Sequence, residues 1–242
     1  LHFLILNMKA IRSHFAALLV LALCLSLAHA ATYIEPNAVD VAKLLPPPPA
    51  DDSPAGRADL ETVLQVQADR TPAQLARAAR VAPQTAFTFA VPVLGENFTS
   101  ANLPRTTELL KEILTETRVI VLAAKARWDR TRPYLREAGV EPSVARPKNS
   151  SYPSGHSADA AIWAGIFAAA FPEYAKALDR EVHEVMWSRV LGGAHYPSDT
   201  EAGKIFGDAI VQELLKNPTT KRAIAEIRAE GLPHIRPLAK AS

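Results

Sequence analysis

Cysteine is almost missing: Cys24 stands alone in 242 residues. No intrachain disulfide can form, so any fold must rest on its apolar core. Charge of either sign is not in excess, with 27 Lys and Arg against 25 Asp and Glu, and no general field for nucleic acid follows. Strand-like alternation of any length is lacking, as is an internal repeat. Apolar stretches long enough to cross a bilayer are lacking around the candidate motifs. Glu108, Lys111, Glu112, Asp179, Glu181 and Glu184 interrupt the helical candidates, which argues against a multi-span membrane protein.

What is present begins with a targeting pattern. Leu1 to Asn7 precede the first methionine, Met8, and are expected to be upstream sequence. Lys9 and Arg12 then lead into an apolar run from Phe15 to Leu27 and the small-residue site Ala28-His29-Ala30. This order reads as a secretory signal, with cleavage expected after Ala30 and a periplasmic or secreted product that has no membrane association. Cys24 lies within the leader, and Leu23 before it makes a poor lipidation signal.

Hydrophobic residues make up 48% of the chain, ample for one sizeable core. Residues 31–70 are proline-rich, with Pro46 to Pro49 followed by Asp51-Asp52-Ser53-Pro54. They should be extended or irregular before a short helix near Leu60 to Ala68. Residues 71–242 read as one helical domain. Thr71-Pro72 opens a helix to Val81. Val91-Pro92 and Gly95-Glu96-Asn97 read as a break. A long helix from Leu103 to Thr131 is expected from the three- and four-residue spacing of Leu109, Leu110, Ile113, Leu114, Val119, Ile120 and Leu122, with Pro133 ending it. Further helices are expected over Ser157–Phe171, Glu173–Leu191, Ser198–Lys216 and Thr219–Glu230, giving an all-α single-domain bundle.

Three separated segments carry the chemistry: Lys125 with Arg132-Pro133, Pro153-Ser154-Gly155-His156, and Ser188-Arg189 with His195 and Asp199. Two guanidiniums and an ammonium suit the oxygens of a phosphate, one histidine can attack phosphorus, and a second can protonate the departing oxygen. Lys125 and Arg132, seven residues apart, are expected on one face of the long helix; with Arg127 and Arg130 in the same stretch, a solvated basic face is the competing reading. Free N–H groups of Ser154, Gly155 and the first helical turn should face an anion, aided by the helix dipole and the serine hydroxyl. Asp199, four residues after His195, can hold one ring N–H and leave the other nitrogen its lone pair. A metal site is disfavoured, because no cysteine or second His/Asp pair lies nearby. His183 and His234 are not assigned to the site.

Joined in order, K-x6-R-P, P-S-G-H and S-R-x5-H-x3-D resemble the signature of the type-2 phosphatidic acid phosphatase superfamily. Leu44 to Ala50 and Ser151-Tyr152-Pro153-Ser154-Gly155-His156-Ser157 are most similar to secreted bacterial class A nonspecific acid phosphatases. The similarity runs from about Leu44 to Asn217. Ser150 departs from the usual glycine and Tyr134 from the usual phenylalanine, which leaves the subclass and substrate range open. The resemblance implies a secreted acid phosphatase acting on small-molecule phosphate esters without metal or other cofactor, and a homodimer. It also implies the roles: His195 nucleophile, Asp199 its support, His156 general acid and base, and Lys125, Arg132, Ser154, Gly155 and Arg189 the phosphate cradle. A vanadium-dependent haloperoxidase, a membrane lipid phosphatase and a non-catalytic phosphate-binding protein remain as alternatives.

Overall fold

The computed structural model describes residues 32–237; the leader, Cys24 and the Ala30 cleavage site lie outside them. Among the described residues there are helices and no strands, in agreement with the all-α expectation. The helices are α1 (Val41–Leu44), α2 (Pro54–Asp69), α3 (Pro72–Val81), α4 (Ala86–Leu94), α5 (Pro104–Arg127), α6 (Pro133–Arg136), α7 (Gly155–Ala170), α8 (Ala175–Leu191), α9 (Pro197–Leu214) and α10 (Pro218–Gly231). Short 3-10 turns, Pro172–Tyr174 and Leu232–His234, precede α8 and follow α10.

Proline starts six of these helices. Its fixed φ is helical and its missing N–H is an orphan at the first position anyway. Side-chain caps complete several starts. Ser53 Oγ accepts from Gly56 N–H at 3.0 Å, and Thr71 and Gln74 cap each other's backbone at the head of α3. The Ser53 cap lets α2 begin at Pro54, earlier than Leu60. Thr85 and Thr88 make the same reciprocal cap for α4, a helix the sequence reading missed because Pro92 lies inside it. Pro92 falls near the C-terminal end, where Gly95 N–H still reaches Val91 O at 2.9 Å.

The long helix is shorter than expected. α5 ends at Arg127, Trp128 turns extended, and Arg132 is extended before Pro133, as the residue before a proline prefers. Pro133 therefore starts α6 and does not end α5. Val119 and Leu122, counted in the apolar stripe, are exposed. Leu109, Leu110, Ile113 and Ile120 are buried as expected.

α7 is the central element and packs most extensively on α9, then on α8. Glycines let α7 and α9 approach. A Cβ on Gly203 would lie 2.4 Å from Ser154 O, one on Gly207 2.6 Å from Ala158 O, and one on Gly165 2.4 Å from Val211 Cγ2. The heads of the two helices are also tied directly, by Ser154 N–H to Asp199 O at 2.9 Å. Beside this seam Phe98 meets Phe167 and Phe171 edge-on. The packing puts the P-S-G-H segment against the H-x3-D segment.

Candidate active site

Arg189 lies in the last turn of α8, and the chain turns at Gly192-Gly193, where Gly193 takes φ 68°, the left-handed exit expected of the diglycine. His195 follows, buried, just ahead of α9. Its Nδ1 lies 3.3 Å from Asp199 Oδ2, and its Nε2 lies 3.2 Å from Arg132 Nη1. A guanidinium only donates, so Nε2 must carry the lone pair and Nδ1 the proton. Burial pushes the imidazole well below its usual range; the Asp199 carboxylate pulls upward, and Arg132 and Lys125 push further down. The ring is neutral.

Asp199 is fully enclosed. Burial opposes its ionisation, but His195, Arg130 and Ser151 together hold it below the ordinary carboxylate range. Its Oδ2 accepts from Ser151 Oγ at 2.5 Å and from Tyr196 N–H at 2.9 Å. That second bond closes the head of α9, so the helix is capped by Tyr196 and begins at Pro197, one residue before the expected Ser198.

Across a pocket of about 290 Å³ stand Lys125, Arg132, Gly155, His156 and His195, with Arg118, Asn149 and Asp159 among the other lining residues. His156 Nε2 donates to Ala82 O at 3.0 Å, which leaves Nδ1 as the nitrogen free to exchange a proton. Burial, then Arg189, lower this histidine to about 4. Lys125 donates to Pro153 O at 2.9 Å and is lowered to about 8 by burial and then by Arg132. Arg189 is lowered to about 10 for the same two reasons. Cations gathered at such cost to one another suit an anion.

Several expectations need correction. Lys125 and Arg132 do not share a helix face: one sits in the last turn of α5 and the other on the extended segment beyond it. Ser154 N–H does not face outward but is spent on Asp199 O. Ser154 Oγ is buried and accepts from Ser157 N–H at 3.4 Å and Ser157 Oγ at 3.1 Å, as the cap of α7. Arg132 is fully occupied in this structure: Nε donates to Asn149 O, Nη2 to Asn149 Oδ1 and Ser150 O, and Nη1 to Ala194 O and His195. The less committed guanidinium is Arg189, whose buried Nε and Nη1 have no hydrogen-bond partner among the described residues.

The sequence reading missed other groups. Arg127 is exposed as supposed, but Arg130 is buried and pairs with Asp199 and Asp59. In an extended strand alternate residues share a side, so Arg130-Thr131-Arg132 ahead of Pro133 held the signal. Ser150, one of the two departures, accepts from Arg130 N–H at 3.2 Å. Tyr134, the other, donates its hydroxyl to Pro147 O at 2.6 Å and so ties down the pocket rim.

A larger cleft of about 630 Å³ is lined by Arg77, Tyr174, Glu181, Glu184 and Arg236 among others. Its Arg77 is already paired with Glu181 and Glu184, and no histidine lines it. The smaller pocket is lined by residues of all three motifs.

The comparisons with known proteins bear on that pocket. Residues 109–222 match the PAP2 superfamily. A non-specific acid phosphatase of Salmonella typhimurium is 34% identical over 197 residues, covering 77% of this chain and 78% of its own. The chain belongs to the PAP2 superfamily. A non-specific acid phosphatase of Providencia stuartii is 28% identical over 80% of this chain and 82% of its own. Among solved structures, a transmembrane PAP2 type phosphatidylglycerolphosphate phosphatase from Bacillus subtilis shares the fold with a TM-score of 0.52 and 17% identity, over 69% of this chain and 87% of that one. Among the described residues here, no helix is long and apolar enough to cross a membrane.

Proposed function

We propose that this chain is a secreted acid phosphatase that cleaves phosphate monoesters through a phosphohistidine on His195, without a metal. Its PAP2 family and acid phosphatase relatives support an enzyme acting on phosphate esters. The observation that carries the mechanism is the hydrogen-bonding of His195, which leaves a neutral ring with its Nε2 lone pair on a pocket ringed by cations.

Nε2 attacks phosphorus in line, forming the N–P bond as the P–O bond to the leaving group breaks. His156, protonated, gives its Nδ1 proton to that oxygen. Asp199 supports the imidazolium created on His195. Water then attacks the phosphohistidine, His156 takes a proton back, and the N–P bond breaks to release phosphate and neutral His195. Lys125, Arg189 and Arg132, together with Gly155 N–H and the Ser154 hydroxyl at the head of α7, hold the equatorial oxygens. Arg132 must exchange part of its present set for phosphate.

Burial and then Arg189 hold His156 near 4. A bound phosphate cancels much of the cationic field and lifts it, so the acid form of His156 belongs to the complex. A bell-shaped profile on the acid side follows. The test is a panel of p-nitrophenyl phosphate, nucleotides, pyrophosphate, phytate and a lipid phosphate across pH, with and without EDTA. Monoester hydrolysis peaking below neutrality and unaffected by EDTA is expected; metal dependence or a rate still rising above neutrality counts against the proposal.

Asp159 gives a second pH signature. It lines the pocket from α7, 3.3 Å from Arg118, and burial raises it to about 6 against the pull of Arg118 and Lys125. Below that pH it is neutral and harmless to an anion; above it, it is charged and repels phosphate. Asp159→Asn should therefore lower KM for p-nitrophenyl phosphate above pH 6 by about 10-fold and change it little at pH 4.5. Equal KM for the two proteins across the range would remove Asp159 from substrate binding.

A further inference from the structure

Behind His195 and Asp199 lies a second charge layer that the three sequence motifs do not contain. Arg130 Nη1 donates to Asp199 Oδ1 at 2.6 Å, and its Nη2 donates to Asp59 Oδ2 at 2.7 Å. Ser198 closes the ring. Its Oγ accepts from Arg130 Nη1 at 2.7 Å and donates to Asp59 Oδ2, while its N–H donates to Asp59 Oδ1 at 3.2 Å. The Arg130 guanidinium also lies 4.2 Å from the centre of the Tyr196 ring. Asp59, Arg130 and Asp199 are all buried, with side-chain exposures of 8%, 3% and 0%.

We infer that Asp59 and Arg130 are positioning residues for catalysis, setting the orientation and charge of Asp199 and through it the nucleophilicity of His195. The inference rests on the proposed role of His195 as the attacking group. Two physical points support it. Arg130 occupies Oδ1, so the Asp199 carboxylate can turn only Oδ2 toward the imidazole, where Ser151 and Tyr196 N–H also fix it. Asp59 then shares the guanidinium charge. Without that second carboxylate, Arg130 would neutralise Asp199 alone and weaken its hold on the imidazolium formed during attack. Two carboxylates and one guanidinium leave one negative charge in the layer, which the cationic ring balances.

A structural consequence follows as well. Asp59 comes from α2, in the proline-rich part of the chain, so that segment reaches the catalytic centre through the buried Asp59–Arg130 ion pair and the Ser198 hydrogen bonds to Asp59.

Asp59→Asn keeps the shape and removes the charge. In the folded full-length protein it should reduce kcat for p-nitrophenyl phosphate by about 10- to 100-fold with KM within about 3-fold, as for loss of an outer partner of a site residue. The downfield Nδ1 proton of His195 should shift in the proton NMR spectrum. Arg130→Lys, which restores charge without the fork, should recover part of the activity lost in Arg130→Gln. Ser198→Ala leaves no buried charge unpaired, and a kcat loss of about 3- to 10-fold is expected from it. A natively melting Asp59→Asn with wild-type kcat and an unmoved proton overturns the inference. Should Asp59→Asn not fold, a wild-type kcat in Ser198→Ala overturns it equally. Labelled-substrate trapping on wild type separates the two levels: label away from His195 removes the reading beneath, whereas label on His195 with unaffected variants removes only the positioning role.

Discussion

His195→Ala is expected to reduce phosphatase turnover by about four orders of magnitude or more, with the fold unchanged. The size follows from what the residue does, since loss of a covalent nucleophile removes the route itself and not one stabilising contact. Folding should tolerate the change. The imidazole is buried and its ring nitrogens meet Asp199, Arg132 and, at 3.5 Å, Ser151, and each partner keeps other bonds: Asp199 retains Arg130, Ser151 and Tyr196 N–H, Ser151 retains Asp199, and Arg132 retains Asn149, Ser150 and Ala194. Circular dichroism and the thermal midpoint should therefore match wild type closely. Rapid quench with labelled substrate should place label on wild type, stable in alkali and lost in acid, as for an N–P bond. The variant should take up none. Turnover equal to wild type in His195→Ala would end the phosphohistidine mechanism, whatever the family of the chain.

Every group of the three motifs carries its chemistry in its residue type, and their separation in the chain is undone by packing that the sequence also contains. Gly203 and Gly207 let the heads of α7 and α9 meet, and Gly193 supplies the turn that delivers His195. The helices were legible where apolar spacing or a cap marked them, as with Thr71-Pro72 before α3. They were misjudged where proline had two meanings. Pro92 is tolerated near a helix end and Pro133 begins a helix instead of closing one. That single misreading of Pro133 also misplaced Arg132 and left Arg130 on a solvated face.

What sequence could not supply is the layer behind the motifs. Asp59 and Asp199 are 140 positions apart, and only the fold shows that one guanidinium joins them. Nor could spacing reveal how Arg132 distributes its five N–H groups. Its Nε, Nη1 and Nη2 are all engaged, whereas Nε and Nη1 of the buried Arg189 have no hydrogen-bond partner among the described residues.

His156→Ala is expected to separate acid catalysis from phosphate binding. With a simple alkyl phosphate, whose alkoxide is too basic to leave unprotonated, kcat should fall by about 10²- to 10⁴-fold. With p-nitrophenyl phosphate the loss in the first half-reaction should be much smaller, because that leaving group departs as a stable anion. The phosphoenzyme should then accumulate, since the variant also lacks the base that helps water attack. The pH dependence carries the sign. Wild type needs His156 protonated in the complex, so kcat falls as pH rises through its pKa there, above the value near 4 set by burial and Arg189. His156→Ala should lose that alkaline limb. A kcat reduced equally for both leaving groups, with the limb retained, would make His156 a binding group held by Ala82 O and place the acid elsewhere.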